Sequence, residues 1–101
     1  MVDQQHMQTF VNEARPQFEN MLAQMVEVPS ISMDTTRERD MRRMADLAVH
    51  CLTELGAEAR IVETDGYPII SGGWMAGAQY PTVTVYNHMD VQPAQEPEWK
   101  Q

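Results

Sequence analysis

From residue 4 to 27 the apolar side chains Met7, Phe10, Val11, Ala14, Phe18, Met21, Leu22, Met25 and Val26 recur at spacings of three and four. This period predicts a helix with one apolar face. Pro16 falls inside the pattern, where it either kinks one helix or opens a second. The pattern stops at Pro29, and PSISMDTT reads as a loop whose short polar side chains bond their own backbone. A second helix is predicted over 38–55, with Met41, Met44, Ala45, Ala48, Cys51, Leu52 and Leu55 on one side and Gly56 at the C-cap.

After Gly56 the period changes to two. AEARIVET alternates as a half-buried strand, DGYP has turn chemistry, and PIISGGW reads as a second short strand. Gly72 and Gly73 suggest a bulge or bend in it. AGAQYP is a further loop. TVTVY, residues 82–86, opens with four consecutive β-branched residues, a composition suited to a strand covered on both faces. Two N-terminal helices followed by strands of a mixed sheet define an α/β class. No internal repeat or interdomain linker interrupts the chain.

Composition narrows the function. At 101 residues with 43% hydrophobic side chains, the chain is one domain at most, spanning 1–101, and too apolar for a disordered tail. Fifteen acids against seven bases leave a net charge of -8, which argues against nucleic acid or an anionic membrane as partner. The basic run RERDMRR is interrupted by Glu38 and Asp40 and reads as a solvated helix start. Cys51 is the single cysteine, so no intrachain disulfide forms. The N-terminus lacks the basic and apolar regions of a signal peptide, and no apolar run approaches the ~20 residues of a membrane span. A cytoplasmic protein is expected.

Candidate chemistry concentrates in YNHMDVQP, residues 86–93. His88 and Asp90 follow the last predicted strand at its carboxyl end, where open α/β sheets place ligands. Residues two apart in extended chain project to one face. The carboxylate can then accept one ring N–H while the other ring nitrogen faces outward, the arrangement that fixes a metal-binding tautomer. Other candidates are weaker. His50 and Cys51 point in different directions on a helix, and a core cysteine beside a surface histidine is the simpler reading. His6 near the terminus is expected to be solvated. Ser30 and Ser32 lack nucleophile-elbow glycines and are expected to cap a turn. The nine methionines read as core filler. Trp74 and Trp99 could flank a substrate or pack against sheet edges.

YNHMDVQP followed by EPEW resembles the His-x-Asp segment of the zinc-dependent metallopeptidase family of carnosinase-type dipeptidases, aminoacylase, acetylornithine deacetylase and succinyl-diaminopimelate desuccinylase. The run Asp90 to Pro93, with Trp99 beyond, resembles the dipeptidase branch in particular. The long first helix ending in VPSIS and the second ending in LGAEARIVET are similar to the family's opening segments in kind and order. Asn87 stands where the family usually has glycine; asparagine tolerates unusual backbone angles better than most residues.

The resemblance implies a two-zinc hydrolase acting on a dipeptide or N-acyl amino acid. His88 would be a ligand of one zinc and Asp90 the catalytic-site carboxylate that orients or polarises it, with metal-activated water attacking the amide carbonyl. The family's bridging aspartate, general-base glutamate, remaining acidic ligand and last histidine come later in the chain and have no match before Gln101. The segment is therefore expected to be the N-terminal portion of a longer catalytic domain, inactive alone. It should associate with itself through strand edges and an apolar face that the rest would cover. The alternative is a free-standing α/β binding or oligomerisation module in which His88 and Asp90 form only a structural pair.

Overall fold

The computed structural model describes residues 2–94, and the Trp99 and EPEW features lie outside them. The first helix, α1 (Gln4–Glu27), begins where the Asp3 carboxylate accepts the backbone N–H of His6 at 2.7 Å, the usual N-cap arrangement. It runs as one helix through Pro16. Proline cannot bond the carbonyl four residues back, but Asn12 is exposed, so water can take that carbonyl. None of the side chains of α1 is buried, and the predicted apolar face stands open at Met7, Phe10, Val11, Phe18, Leu22 and Val26.

A short 3-10 turn, Thr35–Arg37, leads into α2 (Glu38–Glu54). Here the centre of the predicted face is buried, with Met44, Ala45, Ala48 and Cys51 forming most of the core together with Val28 and Ala57, while Met41 and Leu52 are half-buried and Leu55 is exposed. The end of α2 is a Schellman motif: Gly56 N–H bonds the carbonyl of Thr53 at 2.9 Å and Ala57 N–H that of Leu52 at 3.0 Å. Gly56 has φ +87°, the left-handed conformation this motif requires. The indole N–H of Trp74 takes the Leu55 carbonyl at 3.2 Å, so this tryptophan caps a helix end.

Two strands, β1 (Glu58–Val62) and β2 (Ile69–Gly73), form an antiparallel hairpin with Glu58 opposite Gly73 and Val62 opposite Ile69. Ala59, Ile61 and Ile70 are its half-buried positions. Gly72 lies in regular register opposite Ala59, without the expected bulge. A Cβ there would come within 3.0 Å of Leu52 Cδ1, so the glycine allows the strand to approach α2 closely. A paired Arg42–Glu63 contact, with N–O distances of 2.6 and 3.0 Å, ties α2 to the end of β1.

The strand predicted for TVTVY does not form. Residues 82–86 join no ladder among the described residues, and Val83, Val85 and Tyr86 are 83%, 78% and 89% exposed. β-Branched residues favour a pleated, half-covered surface rather than a strand in isolation, and no neighbouring strand flanks them here. The two helices and the hairpin make the predicted α/β layering, with a two-stranded antiparallel sheet. The accessible surface, 9082 Å², exceeds the ~5,800 Å² of a closely folded chain of this mass. Among the described residues no helix is long and apolar enough to cross a membrane.

Gly56→Ala should lower stability by ~1 to 2 kcal/mol in urea unfolding, the cost of a left-handed L-residue. Gly66→Ala, where an added Cβ meets nothing closer than 3.9 Å and φ is not positive, should be near neutral or slightly stabilising. Equal losses in both variants would contradict the Schellman assignment.

Candidate metal-binding site

The chain turns from α1 to α2 through Val28–Ser32, and this loop holds the candidate residues. Ile31 pairs with Val91 in an isolated parallel bridge, in which Val91 N–H bonds the Ser30 carbonyl at 2.9 Å. Ser30 is fully buried, and its hydroxyl donates to the Met89 carbonyl at 3.1 Å. Ser32 donates its hydroxyl to Asp90 Oδ2 at 2.6 Å. The loop thus grips residues 89–91 at three successive places. His88 and Asp90 are held by this bridge and not by the end of a sheet strand, as their position after TVTVY had suggested.

His88 and Asp90 are neighbours, as their spacing predicts. His88 Nδ1 lies 3.3 Å from Asp90 Oδ1 and also 3.3 Å from the Asp90 main-chain oxygen. The imidazole is 78% exposed, whereas the carboxylate is 36% exposed. The Ser32 hydroxyl is the main influence holding the Asp90 carboxyl below its ordinary range. Desolvation opposes it, while the backbone N–H of Asp90 and the adjacent His88 act in the same direction as Ser32. Asn87 has no positive φ, so the asparagine is accommodated without backbone strain.

The serines are where reading by sequence fell short. Expected only to cap a local turn, Ser30 and Ser32 reach 59 and 58 residues along the chain. A contact of that separation leaves no mark in local spacing. The remaining candidates behave as surface or core groups. His50 is exposed and lies 3.2 Å from Glu54, one helical turn away. Cys51 is buried beneath it, and desolvation pushes its thiol upward, away from reactivity.

Among the described residues no three His, Cys, Asp or Glu side chains gather to hold a metal ion. The donors present fit one corner of a metal centre, an imidazole nitrogen with a carboxylate behind it, and not the roughly three protein ligands of a catalytic zinc. What this corner can do chemically is offer a directed nitrogen lone pair.

Because the folded-state pKa of Asp90 is depressed, its ionisation contributes stability that is complete above the unfolded-state value of ~3.9 and is lost as pH falls through the folded-state value. In Ser32→Ala the Asp90 carboxyl should titrate closer to its ordinary range, followed by carboxyl ¹³C NMR, and that share of acid sensitivity should shrink. An unmoved titration would show that the short hydrogen bond does not govern the group.

Comparison with known proteins relates the chain to metallodipeptidases. It is 35% identical over 94 residues to the Cys-Gly metallodipeptidase dug1 of Schizosaccharomyces pombe, an alignment covering 83% of this chain and 20% of that enzyme. The chain therefore spans about one fifth of the length of that relative. It matches no protein-family profile and no solved structure.

Proposed function

We propose that this chain forms the N-terminal portion of the catalytic domain of a zinc-dependent dipeptidase-like hydrolase, to which it contributes His88 as a metal ligand and Asp90 as the carboxylate behind it. The observation that carries the reading is the His88–Asp90 contact, with Nδ1 turned to the carboxylate and the ring 78% exposed. The similarity to a metallodipeptidase over most of the chain supports the same reading. A pair of zinc ions completed by further residues of such an enzyme would supply a metal-activated water for attack on a peptide or N-acyl amide carbonyl. The substrate class we infer is a dipeptide or N-acyl amino acid, with Cys-Gly, named for the matched relative, as the first to test.

In this reading the chain's own contribution is positional. Val28–Ser32 fixes residues 89–91, Asp90 faces the near side of the imidazole, and the far nitrogen is left to the ion. With no third donor among the described residues, the segment by itself is proposed to be inactive. A cytoplasmic setting belongs to the same proposal, supported by a lone buried cysteine. So does self-association through α1, supported by its uncovered apolar row. Sedimentation velocity at rising concentration should show larger species, diminished in Phe18→Asp; a monomer throughout would remove that part of the proposal.

Zinc titration calorimetry on the 101-residue chain tests the central claim. Weak binding is expected, reduced in His88→Ala by more than the ~10 to 100-fold that outer partners of a metal are worth, and unchanged in His50→Ala. No hydrolysis of Cys-Gly or other dipeptides should accompany it. Binding indifferent to His88 would favour a free-standing module with a structural His–Asp pair, and turnover dependent on His88 would overturn the proposed inactivity.

A further inference from the structure

We propose that Ser32 is a positioning residue for His88: by anchoring one oxygen of the Asp90 carboxylate it turns the other to Nδ1, and so leaves the Nε2 lone pair as the outward donor. The proposal rests on the reading of His88 as a metal ligand and names the group that prepares it.

The geometry supplies the argument. A neutral imidazole has one N–H and one lone pair, and the partner of each nitrogen decides where the proton sits. Two groups face Nδ1, the Oδ1 of Asp90 and the main-chain oxygen of the same residue, each at 3.3 Å. An ionised carboxylate and a carbonyl can only accept, so Nδ1 has to donate. No hydrogen bond forms to Nε2 among the described residues, and the ring is 78% exposed on its way to solvent. An otherwise unrestrained carboxylate on such an open surface would rotate and share its oxygens with water. Here Oδ2 is engaged by the Ser32 hydroxyl at 2.6 Å, a short, charge-assisted bond that sets the carboxylate plane.

Ser32 is itself held. Its carbonyl accepts the Tyr67 hydroxyl at 3.1 Å from the hairpin turn, and on its other side Ile31 is bridged to Val91. The buried Ser30 fixes the next carbonyl along, that of Met89. The two serines therefore divide the work. Ser30 holds the backbone of the site, and Ser32 holds its carboxylate.

The test reads the His88 tautomer by ¹⁵N NMR of the ring nitrogens in metal-free chain, in mildly alkaline solution where the neutral ring is observed. In the wild-type chain the Nε2 resonance should be of the unprotonated type and Nδ1 of the protonated type. Ser32→Ala should lower the ratio of these tautomers by about fivefold, the worth of one hydrogen bond, and Ser32→Thr should restore it. Zinc affinity should fall ~10-fold in Ser32→Ala and recover in Ser32→Thr. Should circular dichroism show Ser32→Ala unfolded, Ser32→Cys, of similar size but a weak donor, is read in its place. A tautomer ratio unchanged on losing the hydroxyl, or a wild-type ring protonated at Nε2, overturns the assignment. The tautomer readout needs no metal. Zinc binding indifferent to His88→Ala would thus defeat the ligand reading while a Ser32-dependent tautomer upheld the positioning role.

Discussion

The packing of residues 28–32 against 89–91 is the constraint on which the rest of the arrangement depends. One main-chain hydrogen bond, Val91 N–H to the Ser30 carbonyl, brings together segments separated by some sixty residues. The entropy of closing so long a loop has to be met by local bonds, and three hydroxyl contacts cluster at this point: Ser30 to Met89, Ser32 to Asp90 and Tyr67 to Ser32. They join the α1–α2 loop, the hairpin turn and the His88–Asp90 segment. Ser30 is buried with its hydroxyl satisfied, so the junction leaves no orphaned polar group there.

Burial is uneven around this junction. Between α2 and the hairpin, small residues allow close approach: Ala45 and Ala48 on the helix, Ala57 and Ala59 at the strand, and Gly72 beneath Leu52. The side opposite has no such cover. α1 touches α2 only slightly, and its apolar row stands in solvent along with Val83, Val85 and Tyr86. A radius of gyration of 16.6 Å, against ~13 Å for a compact chain of about 100 residues, expresses the same imbalance. Uncovered apolar surface of this extent is the observation behind the proposed self-association.

For the chemistry, the consequence is a His–Asp pair anchored on one side and open on the other. The carboxylate of Asp90 is fixed from behind by Ser32, while the imidazole in front of it is mostly exposed. Such a corner can direct a lone pair but cannot enclose an ion, exclude water or bind an amide on both sides. In the proposed function those tasks fall to donors outside the described residues; the chain aligns with one fifth of the length of a metallodipeptidase.

Local pattern was sufficient for the elements whose stability is local. Both helices, the Gly56 cap and the hairpin were legible because period, capping chemistry and turn residues act over a few positions. The His88–Asp90 contact was legible for the same reason, since two residues apart in sequence remain close in space. Three features were decided only in the tertiary structure. TVTVY, despite its composition, found no flanking strand, because a strand requires a partner edge that its own residues cannot specify. The glycine at position 72 proved to be clearance for Leu52 rather than a bulge. And Ser30 and Ser32, which read as turn residues, became the clamp on the candidate site, because hydrogen bonds between hydroxyls and groups nearly sixty residues away follow from how the loops meet and not from any periodicity along the chain.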